Sequence, residues 1–329
     1  MVGQKEKQHL PHNIQLDKVL IKEIRMKNAL FTLALCTGIF AGAADLNWSG
    51  RAPWEKNENG EFTIDYQNKG WPRLTSKQEA KAGKFYRVTF DCKRDGANVP
   101  SVYLRANNGN GSKEFGIACC TFNNWSTQCG YFPAEKEGAL TVIWGFNPKA
   151  EAKLAVRNGK FEEVSPEMMK QNLVLNGNFE YETVKGTAFW KDINWKERSF
   201  PGQVVPGQDF MNGEKSLELP FGSGIKSISV PMEKGRKYQF TFWAKGTKDA
   251  VIGTSLSLWS IRGHKGKHFH TSRKFKLETT WKQYQFEITV PTDEEKYPDL
   301  KVGTGEIAIR VKGDDGKYYL DDISYCEKE

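Results

Sequence analysis

Residues 83–93 (GKFYRVTFDCK) align without a gap against residues 235–245 (GRKYQFTFWAK), 152 positions further on. Within the match apolar and polar residues alternate: Tyr238, Phe240 and Phe242 interleave with Gln239, Thr241 and Trp243. A period of two places alternate side chains on opposite faces of an extended strand and excludes an amphipathic helix. Looser matches follow in the same order. Asn124-Trp125, Gln128 and Phe132 face Thr280-Trp281, Tyr284 and Ile288; Ala155-Val156-Arg157 faces Ala308-Ile309-Arg310; Glu162-Glu163-Val164-Ser165 faces Asp321-Asp322-Ile323-Ser324. Their shared order implies one module present twice, with a joint near residues 165–171. A chain of 329 residues has room for both copies.

The same alternation returns in Ile252, Leu256 and Leu258, and in Ile307, Ile309 and Val311, between stretches rich in Gly, Pro, Asn and Asp. Short strands with one apolar face must stack as two sheets to bury it. The expected fold class is therefore all-β: two tandem antiparallel β-sandwiches of jelly-roll type after a signal peptide. Each buried Phe or Leu stabilises such a core by about 1.5–3 kcal/mol.

Residues 29–40 form the one strongly apolar stretch, about half the roughly 20 residues a membrane-spanning helix needs. Lys22, Arg25 and Lys27 precede it and Ala41-Gly42-Ala43 follows, the layout of a secretory signal. A lipoprotein signal wants a small residue before its cysteine, whereas Leu35 precedes Cys36. The expected organisation is an extension and signal over 1–43, a divergent module over 44–166 and a second module over 172–329. The product is expected outside the cytoplasm: extracellular, periplasmic or on the cell surface. Beyond residue 43, 42 Lys and Arg face 37 Asp and Glu, spread without a basic stripe. That pattern speaks against a nucleic-acid partner and leaves sugar, anionic polysaccharide or plain solubility. Five cysteines remain there, and Cys119 or Cys120 can be drawn opposite Cys129 across a hairpin; no C-x-x-C pair suggests zinc or redox chemistry.

The second copy resembles the carbohydrate-binding modules grouped as families four and nine, which have a galactose-binding-like jelly-roll fold. The residues that carry the resemblance are Asn172-Leu173, Asn176-Gly177-Asn178-Phe179-Glu180, Gly213-Glu214-Lys215-Ser216-Leu217, YQFTFWAKG over 238–246, Thr280-Trp281-Lys282 with Val290-Pro291, and Tyr319-Leu320-Asp321-Asp322-Ile323. The first copy resembles it only distantly, lacking the opening N-G-x-F-E. The resemblance implies polysaccharide or oligosaccharide binding and a structural calcium ion joining the first strand to the last. Glu180 and Asp321 would give it side-chain oxygens, and Asn178 and Lys215 carbonyls. Alternation aims Asp321 to the same side as Ile323, where an unpaired carboxylate is costly to bury. The plain alternative makes both acids surface groups or strand-end caps.

Sugar rings stack on aromatic faces while their hydroxyls bond polar tips. Alternation turns Trp243 and Trp259 away from the core, with Gln239, Arg310 and Gln285 expected on the same face. Trp190 and Trp195, in a loop-rich stretch, either line a groove edge or cover the sandwich, and Trp281 reads as a packing residue. His264, His268 and His270 sit in a basic segment. Their spacing offers no carboxylate for a transition-metal site, so His268 is expected to touch sugar or water. Glycoside hydrolysis needs two carboxyl groups across a cleft. No G-x-S-x-G, H-E-x-x-H or P-loop occurs, and Arg105, Glu114 and Tyr131 are the best a hidden catalytic unit offers. A non-catalytic binder leads, with a jelly-roll enzyme or an adhesion spacer as alternatives.

Overall fold

The computed structural model describes residues 43–329 apart from 51–53, 67–71, 96–101, 108–114, 120–123, 135, 147–151, 181, 184–185, 188–189, 194–202, 207–209, 228–229, 248–249, 260–268, 293–301 and 313–315. The signal segment, Cys36, Glu114, Cys120, Trp195, His264 and His268 lie outside the described residues, as do the side chains of Cys119 and Trp259.

The first half contains β1 (Ala44–Asp45), β2 (Ser49–Gly50), β3 (Glu55–Lys56), β4 (Phe62–Tyr66), β5 (Arg73–Ala80), β6 (Phe85–Asp95), β7 (Val102–Asn107), β8 (Phe115–Cys119), β9 (Ser126–Pro133), β10 (Gly138–Phe146) and β11 (Ala152–Glu163). One helical turn, α1 (Pro166–Met169), follows; Ser165 caps it, its Oγ accepting the Met168 N–H at 3.3 Å, and a proline opens the turn. The second half contains β12 (Glu182–Thr183), β13 (Gly186–Thr187), β14 (Trp190–Asp192), β15 (Gln203–Pro206), β16 (Lys215–Pro220), β17 (Gly224–Ser227), β18 (Val230–Glu233), β19 (Lys237–Gly246), β20 (Val251–Trp259), β21 (Phe269–Lys276), β22 (Lys282–Thr289), β23 (Val302–Lys312) and β24 (Lys317–Lys328).

In the first half one sheet runs β3-β4-β11-β6-β9, with β1 on β11, and the other β2-β5-β10-β7-β8. The second half has β15-β16-β24-β19-β22 and β14-β17-β23-β20-β21, with β18 on β23 and a small β12-β13 ribbon. The strand orders correspond, and β6 and β19, which carry the gapless match, take the same place in each. Each half is a sandwich. Val88, Phe90, Leu104, Val142 and Trp144 are buried between the first two sheets. Phe240, Phe242, Ile252, Leu256, Ile309 and Ile323 fill the second core. Alternation is read out directly on β19, where Tyr238, Phe240, Phe242 and Ala244 are buried and the residues between them only half-buried.

Register corrects part of the sequence alignment. In β11 Arg157 pairs with Asp91 and Lys160 with Thr89; in β24 Asp321 pairs with Trp243 and Ser324 with Thr241. Each last strand therefore carries one extra residue, a bulge at Asn158 (φ 53°) and at Asp322 (φ 45°). Arg157-Asn158, and not Glu162-Glu163, occupy the place of Asp321-Asp322. The Ala155-Val156-Arg157 match also fails, since β11 stands where β24 does, not where β23 does. The expected Cys119–Cys129 hairpin is absent, because β8 and β9 belong to different sheets. Cys326 is a reduced, half-buried thiol.

The two sandwiches share an apolar seam. On β9 every residue from Gln128 to Pro133 is buried, on both faces of the strand. Phe132 belongs to the first core, whereas Cys129 and Tyr131 join the second, where β9 lies against β18 and β23. Tyr131 faces Arg87 of β6, which faces Glu162 of β11. Arg87 and Glu162 are 8% and 6% exposed, and Nη2 of Arg87 lies 2.6 Å from Glu162 Oε1.

Candidate carbohydrate site

The opening motif of the second sandwich laces the chain to its last strand. Asn172 Oδ1 accepts the N–H groups of Val174 and Tyr325, at 3.0 Å each, and its amide donates to Ile323 O at 3.2 Å. Gly177 O accepts the Ile323 N–H at 2.9 Å. A Cβ at Gly177 would stand 2.0 Å from the Ile323 carbonyl oxygen, so that close approach requires glycine. Phe179, fully buried at φ 55°, anchors the turn against Trp190 at 5.7 Å between ring centres.

This brings two carboxylates to one turn. Glu180 Oε1 accepts the N–H groups of Glu214 (2.6 Å) and Lys215 (3.0 Å). Asp321 Oδ2 accepts those of Met211 (2.6 Å) and Asn212 (2.7 Å), and its Oδ1 that of Asp322 at 2.7 Å. The bulge overturns the expectation that Asp321 shares a side with Ile323. Asp321 pairs with half-buried Trp243 on the outer face and is sealed beneath residues 211–212. Burial pushes its carboxyl up to about 7 in spite of three N–H donors, so hydrogen bonding alone does not compensate a charge there. Two carboxylates on one five-residue turn are a hard-oxygen donor set of the kind Ca2+ takes. Among the described residues no three His, Cys, Asp or Glu side chains converge as a metal cage.

The residues expected to form one sugar platform are divided between two sheets. Trp243 and Gln239 stand on β19, with Gln239 Nε2 donating to Gln285 Oε1 of β22 at 2.9 Å. Arg310 stands on β23, and Trp259 ends β20, both in the opposite sheet. Alternation assigns a residue to inside or outside, but a sandwich has two outsides that point away from each other. Trp190 is no groove edge: it is 6% exposed, and its indole N–H donates to Asn176 O at 3.1 Å. His270 is exposed on β21. The proposed catalytic trio also disperses, since Tyr131 is buried on β9 and Arg105 is on β7 of the other sheet.

The outer face of β19, β24 and β22 is largely occupied by its own side chains. Lys245 Nζ lies 5.3 Å from the centre of the Trp281 ring and 4.9 Å from that of Tyr319, leaving Trp243 as the adjoining aromatic surface. The first sandwich repeats the device, with Lys93 Nζ 4.8 Å and the Arg157 guanidinium 4.0 Å from the Trp125 ring centre.

The opposite sheet has a different relief, which the search for aromatic residues missed. Its outward residues form cross-strand rows: Lys274, Gly253, Arg310 and Gly224, then Ser272, Ser255, Ala308 and Lys226, then His270 and Glu306 on the two strands flanking β20. Among the described residues side chains are minimal at Gly253 and Ser255 of β20 and at Ala308 of β23. Longer ones stand on β21 to one side, and the stem of Arg310 lies across Gly224 on the other, its Cγ 3.2 Å from where a Cβ would sit. Lys226 Nζ and Glu306 Oε2 meet at 3.2 Å, with side chains 8% and 15% exposed. The described residues thus set a low floor between longer side chains, a shallow trough in relief, with an almost buried ion pair at one margin. Its sequence signal was present in the small outward residues Gly253, Ser255 and Ala308, which interrupt otherwise ordinary strands.

Comparison with known proteins bears on the same half. Similar solved structures include the tandem CBM22-1-CBM22-2 domain of Paenibacillus barcinonensis Xyn10C, at 15% identity and TM-score 0.34 over 88% of this chain and 99% of that one. A family 16 carbohydrate-binding module-2 shows 19% identity and TM-score 0.35 over 47% of this chain and 100% of that one. A structure titled "CBM4 structure and function" shows 13% identity and TM-score 0.32 over 47% and 99%. The search of curated proteins gave no match. Residues 171–306, the greater part of the second sandwich, match the family model of a carbohydrate binding domain, families four and nine.

Proposed function

We propose that this chain is a secreted, non-catalytic protein that binds a polysaccharide in the trough on the outer face of β17, β23, β20 and β21. The observation that carries the reading is the floor of Gly253, Ser255 and Ala308 beside the buried Lys226–Glu306 pair, within a segment that matches a carbohydrate-binding family. Corresponding strand orders support a duplicated module, with 44–166 and 172–329 as its copies. A structural Ca2+ at Glu180, Asp321 and the carbonyls of Asn178 and Lys215 is part of the reading, supported by the wholly buried Asp321 carboxyl. Its chemistry would be charge compensation that pins the 211–215 turn to the last strand.

Filling the trough tests the site. Ser255→Trp places an indole on the floor and should abolish retention on an insoluble or immobilised polysaccharide, with the melting temperature unchanged. The second reading is favoured by Trp243, half-exposed beside the Gln239–Gln285 pair, and places sugar on the opposite sheet. Trp243→Ala abolishes binding under that reading and leaves it intact under the first. Release of reducing ends or unsaturated uronates from a bound glycan would identify an enzyme, and silence across a glycan panel a spacer.

A further inference from the structure

The trough is strongly one-sided in charge. On β17, β20, β21 and β23 the described outward side chains include Lys226, Lys274, Lys276, Arg310 and His270, against a single acid, Glu306. That acid is engaged with Lys226. Arg310 and Lys274 are different: among the described residues neither forms an ion pair. They stand on either side of Gly253, in one cross-strand row. Their Cα atoms are two strand spacings apart, about 10 Å, and the residue paired between them is a glycine.

We infer that the trough takes an acidic polysaccharide, with an anionic group of the sugar held between Lys274 and Arg310 above Gly253. The inference rests on the trough being the carbohydrate site. A neutral sugar presents hydroxyls that both donate and accept, and a site for it needs acceptors as well as donors. Here the charged side chains among the described exposed residues of this face, Lys274, Lys276 and Arg310, are all donors. The Arg310 guanidinium offers a planar fork that matches a carboxylate or a sulfate ester with two parallel bonds, and Lys274 adds a mobile point charge. Glycine beneath them lets the ring descend far enough for its substituent to reach both. The serine hydroxyls of the next row, Ser272 and Ser255, are left for the uncharged oxygens of the same ring.

The test is quantitative affinity electrophoresis of the full chain against three soluble probes: a neutral β-glucan, polygalacturonate as a uronate source and chondroitin sulfate as a sulfate source. The expected result is retention by one or both acidic glycans and little by the neutral one. Retention should fall steeply as salt rises toward about half-molar, where screening acts within about 4 Å. Arg310→Ala should weaken acidic binding about tenfold or more, as loss of a charge-assisted bidentate contact does. Lys153→Ala, an exposed base on β11 of the other sandwich, should leave it unchanged. Equal retention by the neutral glucan with no effect of Arg310→Ala would overturn the acidic class while leaving the trough, provided Ser255→Trp still abolishes binding. An equal loss in Lys153→Ala would reduce the effect to bulk charge and overturn the inference. Retention by none of the probes or of a wider glycan panel would overturn the carbohydrate reading itself.

Discussion

Replacing Arg87 by methionine would leave Glu162 in the seam without its counter-ion. Both residues are less than a tenth exposed, and their closest atoms are 2.6 Å apart. Removing one partner of a buried pair leaves an uncompensated charge and costs about 3–5 kcal/mol. At about 2–4 °C per kcal/mol for a chain of this order, the melting temperature should drop by about 6–20 °C. Arg87→Met/Glu162→Leu removes both charges and fills the space with apolar atoms, so it should return to within about 1–2 kcal/mol of wild type. Chemical denaturation followed by tryptophan fluorescence and by circular dichroism gives all four corners of the cycle. A loss below about 1 kcal/mol in Arg87→Met would mean that Glu162 finds water, and the argument for a dry seam would fail.

Further outcomes follow from the second sandwich. Gly177→Ala drives a methyl into the Ile323 carbonyl and should destabilise by about 1–3 kcal/mol, read by thermal melting. Chelation by EGTA should lower the melting temperature of wild type and leave Asp321→Asn unmoved. In chelator, the raised Asp321 pKa makes the protonated carboxyl the favoured folded form. Its contribution is full below the unfolded value of 3.8 and is lost as pH rises toward about 7, so the chelated protein should melt higher at mildly acidic than at alkaline pH. Calcium should flatten that slope. Trp281→Ala removes one ring from Lys245 and should cost stability without touching glycan binding in the trough.

Inside and outside were legible because alternation is a local property: Phe240 and Phe242 could face nowhere but a core, and the gapless repeat set β6 and β19 in equivalent places. Which sheet a strand joins is a long-range property. Trp243 and Arg310 therefore looked like neighbours although they lie on opposite sheets. Bulges hide for a related reason. One extra residue at Asp322 reverses the facing of Asp321, and no spacing in the sequence announces it. Trp190 stayed open between groove edge and cover because a three-residue strand is too short to show a period; its burial favours the cover. The trough was marked by what its residues lack, and a search for large reactive groups passes over Gly253, Ser255 and Ala308.

The double-sided burial of β9 makes separating the halves hazardous. A cut at the α1 turn would strip the cover from Cys129 and Tyr131 on one piece and from the β18 and β23 surface on the other. Each fragment would then carry a raw greasy scar and tend to clump, and glycan capture by a lone half would partly report that stickiness instead of recognition.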